Sequence, residues 1–394
     1  MTSDRMVCPV AGFDPFDQAF LRDPHPVLAH ARAEVPVFHD QALDAWVVTR
    51  YDTIRDIFRD PDRFSATVAS EPLRPWCDEA QAIIQGGGVR IPPLLVNNDP
   101  PDHQIHRRFL GAPFARPRIR QLGPMVSTVV ASQLAPLRAR EHFDMVRDVT
   151  WEIPVHVLFD FLGVPAEDVA TLKRWTASRV RLIWGHPETG EQIALAHSLV
   201  EYARYSERFV EHKAHHLGDD YTSDLLRAVG DEQRDPDTVR NEIAVSVFNL
   251  LFAGHETTTN MMSNAVRLVL SDRVLWDELR RDPSRAEAIV EEAIRLEPSV
   301  TAWRRRTRVD VELDGVAPDR ANARDHLSFG FGIHYCLGAQ LARMQISELL
   351  AQLAVGFPTL ALVDDQVLTY VPNTSFPGPE QLLVTQKRAS GTAA

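Results

Sequence analysis

Residues 329–343 read Phe329-Gly330-Phe331-Gly332-Ile333-His334-Tyr335-Cys336-Leu337-Gly338 and then AQLAR to Arg343. Phe329, Gly332, His334, Cys336 and Gly338 give the spacing F-x-x-G-x-H-x-C-x-G. The apolar residues that follow, Ala339, Leu341, Ala342, Met344, Ile346, Leu349 and Leu350, recur at helical spacing, so the cysteine stands at the head of an amphipathic helix. A thiol placed there is biased toward thiolate by the helix dipole and by unpaired backbone N–H groups, and Cys336 reads as a metal ligand.

Working outward, composition bounds the answer. The chain has 394 residues, 44% of them hydrophobic, and a formal net charge of -12, which disfavours nucleic acid and anionic membranes as partners. No window reaches the roughly 18 uninterrupted apolar residues of a membrane span. The start, MTSDRMVCPVAGFDPFD, has no charged-then-apolar signal, so the chain is expected in the cytoplasm. Cys8, Cys77 and Cys336 stand far apart without a CxxC pair, which argues against a disulfide framework or a zinc site.

Two further stretches carry chemistry. Asp235-Pro236 opens a long helical pattern to about Leu270, roughly 50 Å at helical rise. It is uncharged between Glu242 and His255, so it should cross the interior. Its centre is Ala253-Gly254-His255-Glu256-Thr257-Thr258, where a glycine and threonines weaken a buried helix and Thr257 is placed to bond back to the Ala253 carbonyl. Upstream, Asp99-Pro100-Pro101 starts a helix on which His103 and Arg107 share a face and are able to reach two anionic oxygens together. His106 makes an H-x-x-H with His103, but no third ligand accompanies it.

The cysteine loop, A-G-x-E-T-T, D-P-P-x-H-x-x-x-R and the Glu292-x-x-Arg295 pair stand in an order that resembles the cytochrome P-450 family of haem-thiolate monooxygenases. The resemblance runs from about Phe13 to Val384. It implies a mainly α fold with a small β region, the family's prism, as one domain over residues 1–394 with an irregular leader (1–12) and a tail or linker start (385–394). It implies haem b (iron protoporphyrin IX) with Cys336 as axial ligand, a thiolate that pushes electron density toward iron for O–O cleavage. In the family pattern Glu256 and Thr257 manage protons, and Ala253 and Gly254 form a dioxygen groove. His103, Arg107, Arg305 and His334 hold the propionates, with Arg304 and Arg306 as alternatives to Arg305, while Phe329 and Gly338 shape the cysteine loop. Glu292 and Arg295 form a buried structural pair. The pocket wall comprises Phe248, Val300, Thr301, Ala302, Ser375 and Phe376, without a charged anchor, which suits a mid-sized apolar substrate.

The implied reaction inserts one atom of dioxygen into a C–H bond, as hydroxylation or O-dealkylation. Electrons would come from NAD(P)H through a flavin/iron–sulfur reductase domain or a ferredoxin, docked on Arg107, Arg108, Arg116, Arg118, Arg120 and Arg343. CPVAGFDPFD and TQKRASGTAA are similar to the haem module of bacterial self-sufficient enzymes. A peroxide-driven peroxygenase and a non-catalytic haem-binding protein are the alternatives. One departure stands out: Gly315-Val316-Ala317 runs straight into Pro318-Asp319-Arg320, omitting roughly 30 residues of the family pattern and the arginine that would bond Glu292 and Arg295.

The sequence also predicts a hairpin from Pro36–His39 and Trp46–Thr49, a helix capped by Asp52, an unstructured lid over 64–98 and a break between helices over 178–191.

Overall fold

A computed structural model describes residues 8–89, 92–313 and 326–386. The Ala317–Pro318 junction lies outside them, as do most of the leader and tail. Among the described residues helices dominate, with three small sheets, the mainly α architecture that the motifs implied.

Asp17 caps α1 (Gln18–Arg22) through hydrogen bonds from the backbone N–H groups of Ala19 and Phe20. After α2 (His25–Glu34), β1 (Val37–Asp40) and β2 (Ala45–Val48) form the expected hairpin, with Val37 opposite Val48 and Asp40 opposite Ala45. Val10, Ala31 and Phe38 close a satellite core beneath it. In α3 (Tyr51–Arg59) the N-cap is Arg50, and Asp52 lies in the first turn without capping.

The 64–98 segment is more ordered than its prolines suggest. β3 (Phe64–Ser65) is followed by α4 (Asp78–Gly86), which packs on α10 (Thr189–His215) and brings Gly87 against Val200. The sequence misses α4 because its apolar face is short and lies between prolines and three glycines. The predicted break over 178–191 likewise shrinks. α9 runs from Val169 to Trp184, because Val180, Leu182, Ile183 and Trp184 are buried and extend its apolar face, and only 185–188 separates it from α10.

Between these come α5 (Asp102–Gly111), α6 (Arg116–Gln121), α7 (Gly123–Leu134), β4 (His142–Asp144) and α8 (Glu152–Leu162). Then α11 (Tyr221–Ala228) leads to the interior helix, which is two pieces: α12 (Pro236–Ala253) and α13 (Glu256–Ser271). α14 (Arg273–Arg281), α15 (Ala286–Leu296) and α16 (Ala339–Gly356) pack on α13, and α16 also packs on α14 and α15. β5 (Arg306–Thr307) pairs antiparallel with β3, and β6 (Ala361–Leu362) joins β7 (Leu383–Thr385) and β4 in a three-stranded sheet. The core runs through α12, α13 and α16, where Ile243, Val247, Met262, Ile346 and Leu349 are fully buried. Each such side chain contributes about 1.5–3 kcal/mol by leaving water. No helix among the described residues is long and apolar enough to cross a membrane.

Candidate active site

The cysteine loop is shaped by its glycines and closed by its own backbone. Gly330 and Gly332 have φ of +73° and +64°, and a Cβ on Gly332 would stand 3.0 Å from the Phe58 carbonyl. The Cys336 N–H donates to the Phe329 carbonyl at 2.9 Å, pulling the cysteine back over the loop. Phe329 is buried under the Arg343 guanidinium, 4.3 Å from its ring centre. Cys336 is exposed yet closely surrounded. Burial raises its thiol pKa, while Gly338, Arg107, Arg343 and Ala339 pull the other way. A side chain at the floor of an internal recess has both properties. No cluster of three or more His, Cys, Asp and Glu side chains among the described residues is arranged to hold a metal ion.

Beside it lie two imidazoles and two guanidinium groups. The rings of His103 and His334 are 4.5 Å apart between centroids. Both nitrogens of His103 and Nε2 of His334 are buried without hydrogen-bond partners. Burial, followed by the charge of Arg107, lowers the His103 pKa to about 4; burial and then Arg305 lower that of His334 to about 3. Arg107 donates to the Tyr335 carbonyl at 2.6 Å. Arg305 is distinguished from its neighbours by the β3–β5 pairing. It lies over Phe58 at 4.8 Å and donates only to the Arg304 carbonyl, whereas Arg304 turns to the Glu71 and Pro72 carbonyls and Arg306 pairs with Glu71 at 3.1 Å. Asp99 ties these parts together. It accepts from Ser65 Oγ at 2.5 Å, the Ala66 N–H at 2.9 Å and Arg308 at 2.6 Å, and its carbonyl accepts the His103 N–H. Sequence reasoning read Asp99 only as part of a helix start.

The interior helix opens where Thr257 predicted it would. Thr257 Oγ1 donates to the Ala253 carbonyl at 2.6 Å, and His255 stands outside both helices at ψ −72°. His255 is fully buried behind the break. Its Nε2 lies 3.2 Å from the Trp151 carbonyl and its Nδ1 3.2 Å from Thr176 Oγ1, so burial keeps it neutral with a pKa lowered to about 3. Glu256 is buried with Oε2 unpartnered, and desolvation raises its pKa to about 8. Ala253 is exposed in the middle of this interior helix, which requires a cavity beside it. The side chain that Gly254 lacks would meet Leu158 of α8 at 2.9 Å, so this glycine permits close helix packing and the open surface belongs to Ala253.

The predicted pocket wall is largely brought together. Phe376 meets Trp184 at 4.7 Å and Phe252 at 6.0 Å, with Val300 and Trp303 packed against the same cluster. The Thr301 N–H donates to the Ser375 carbonyl at 2.9 Å, and Ala302 is exposed. Phe248 instead packs on Tyr202 at 4.4 Å, in the main core; Phe252, one turn on, faces Phe376. The sequence also missed Arg179, a buried cation beside Phe248 and Phe252.

Two predicted features change character. Glu292 and Arg295 are bonded at 2.8 Å as expected, but their side chains are 47% and 26% exposed, so the pair lies at the surface, where water screens it. In the basic patch, Arg118 is neutralised by Asp219 at 2.7 Å and Arg343 by Glu291, Arg107 is held by the Tyr335 carbonyl, and Arg108, Arg116 and Arg120 form no ion pair among the described residues. His106 bonds Glu242 at 3.2 Å, which accounts for the H-x-x-H without a metal.

No family model matches the chain. A vitamin D(3) 25-hydroxylase of Pseudonocardia autotrophica is 32% identical over 403 aligned residues, spanning 94% of this chain and 96% of that protein. The chain belongs to the cytochrome P-450 family. It is a P-450 monooxygenase, and the family's cofactor is haem b. Among solved structures, an intact type IV self-sufficient P-450 monooxygenase superposes with a TM-score of 0.90 at 34% identity, covering 97% of this chain and 54% of that one. The chain thus spans about half of that fused protein. The P-450 CREJ in complex with (4-ethylphenyl) dihydrogen phosphate also reaches 0.90, at 35% identity over 95% of this chain and 99% of that one.

The residues present fit a haem. Four side chains with buried or partly buried cationic and imidazole groups converge, the nearby Asp99 carboxylate is already engaged by Ser65, the Ala66 N–H and Arg308, and three of the ring nitrogens have no partner. Two propionates would supply the missing anions.

Proposed function

We propose that this P-450 inserts one atom of dioxygen into a C–H bond of a mid-sized organic substrate, with two electrons and two protons reducing the other atom to water. Electrons originate from NAD(P)H and arrive through a flavin/iron–sulfur reductase, for which the 34% identity to a fused self-sufficient enzyme is the support. Arg108, Arg116 and Arg120 remain the candidate docking charges.

In this reading Cys336 ligates the iron, and His103, Arg107, Arg305 and His334 hold the propionates. Haem b, when bound, supplies the oxygen-activating and electron-accepting chemistry. The chain supplies a protonated carboxyl in the interior, since a pKa near 8 keeps Glu256 neutral at pH 7. It also supplies a hydroxyl, Thr257 Oγ1, held at the helix break by the Ala253 carbonyl. Ala253 leaves room beside that hydroxyl, and the Phe252–Trp184–Phe376 cluster offers an apolar wall for the substrate body.

The 2.6 Å bond from Thr257 to Ala253 carries the proposal, because a broken interior helix is costly in a purely structural protein and useful where protons must be delivered. Replacing Thr257 by Ala should leave substrate binding unchanged and lower product formed per NAD(P)H about ten-fold or more, the low end of what a proton-transfer group contributes. Unchanged coupling would refute the proton-delivery role. A wild-type enzyme that turns over faster with hydrogen peroxide than with reductant would favour a peroxygenase instead.

A further inference from the structure

The roof of this cavity contains a charge that oxygen activation does not use. Arg179 of α9 is 4% exposed. Its guanidinium carbon lies 4.7 Å from the ring centre of Phe248 and 4.9 Å from that of Phe252. One Nη donates to Asn249 Oδ1 at 2.8 Å, while Nε and the other Nη are buried with no partner. Two other cations on the same helix are matched by acids: Lys173 by Glu152, and Arg181 by Glu191 at 2.7 Å. Among the described residues no carboxylate forms such a pair with Arg179. Its pKa, lowered by burial to about 10, still leaves it protonated at neutral pH.

A buried cation without a counter-ion is unfavourable, and the simplest compensation is an anion bound from outside the chain. The two open donors of a guanidinium suit a carboxylate or phosphate bidentately. Phe252, which carries the guanidinium on its face, belongs to the aromatic cluster with Trp184 and Phe376. Phe252 therefore touches both the cation and the apolar wall. The cation group near Cys336 includes none of the residues that touch Arg179, so the two positive centres are separate.

We infer that Arg179 anchors an oxyanion on the substrate, a carboxylate or a phosphate monoester, whose apolar body lies against Phe252, Trp184 and Phe376. The inference rests on reading this cavity as the substrate pocket, and it adds to that reading the charge of the substrate.

The test is equilibrium dialysis with the holoenzyme in the absence of reductant, using 4-ethylbenzoate, 4-ethylphenyl phosphate and the neutral 4-ethylbenzamide. The expected result is at least about ten-fold tighter binding of one or both anions than of the amide, as for a charge-assisted buried bond. The tighter of the two identifies carboxylate or phosphate. Arg179→Gln should abolish the preference by weakening anion binding more than amide binding, and Arg179→Lys should restore part of it. Equal binding of all three probes by the wild type, or a preference that survives in Arg179→Gln, overturns the proposal. If the ethylaryl body is excluded, melting temperature decides: acetate or inorganic phosphate should raise it in wild type at constant ionic strength, and the absence of any rise overturns the proposal. Should Arg179→Gln fail to fold, Arg179→Lys and the wild-type comparison of anion with amide decide alone. Failure of the oxygenase reading shows separately, as unchanged coupling in Thr257→Ala, and leaves these binding constants untouched.

Discussion

The floor and the roof of the cavity both hold positive charge, yet they are built in opposite ways. On the floor, His103, Arg107, Arg305 and His334 come from three separate segments, joined by β3–β5 and Asp99, and several buried nitrogens there lack partners. On the roof, a single guanidinium stands between two phenyl rings with one amide for company. Several weakly bonded groups around one recess suit a large, multiply charged cofactor that stays bound. One preorganised cation in an aromatic setting suits a smaller ligand that comes and goes, since a single anchor leaves dissociation possible.

The contrast can be broken most decisively at the floor. Cys336→Ala should abolish turnover and remove the strongly red-shifted Soret band of the reduced, carbon-monoxide-bound enzyme; a band that persisted would move the ligand elsewhere. Next in size, Arg305→Ala should weaken haem retention by about ten-fold or more, the effect of losing a buried charge-assisted bond, whereas Arg306→Ala should change it little. Haem transfer to an apo-globin acceptor measures both, and equal losses would erase the distinction between inward Arg305 and outward Arg306.

A smaller effect sharpens the roof side. The folded pKa of Glu256 is raised from 4.5 to about 8, so the native state holds a proton that the unfolded chain releases. Stability from this group is therefore present below pH 4.5 and is lost as pH rises toward 8. His255 acts in the opposite sense, because its folded pKa is lowered from 6.5 to about 3 and its contribution grows as pH rises to 6.5. The two overlap between about 4.5 and 6.5, which leaves 6.5–8 as the window for Glu256. There denaturant unfolding should show a slope of at most about 1.4 kcal/mol per pH unit that Glu256→Gln lacks. Identical slopes would mean that the carboxyl is ionised in the fold. Smallest of all, a double-mutant cycle on Glu292 and Arg295 should give a coupling below about 1 kcal/mol, as for an exposed pair. Several kcal/mol would restore the buried-pair expectation.

The motifs were legible for a physical reason. Groups within one turn or loop are placed by local geometry, so F-x-x-G-x-H-x-C-x-G already dictated the loop that returns Cys336 to Phe329, and A-G-x-E-T-T already dictated the Thr257–Ala253 bond. Less local features misled. Glycines and prolines around Asp78–Gly86 hid a helix whose stability comes from packing on α10. A proline-flanked Trp184-Gly185-His186 suggested a long break where buried Ile183 and Trp184 continue α9. Gly254 read as space for a ligand, but its missing side chain is claimed by Leu158.

What the sequence determined by itself was the family, the likeness of its thiolate loop and the order of its catalytic groups, because each is written within a few consecutive residues. Only the tertiary structure decided which arginine of Arg304, Arg305 and Arg306 turns inward, that the Glu292–Arg295 pair lies at the surface, and that Arg179 is a buried cation. On a helix with Lys173 and Arg181 nearby, Arg179 reads as one more solvated charge. Burial and the absence of a matching acid are properties of everything packed around a residue, and they exist only once the chain has folded.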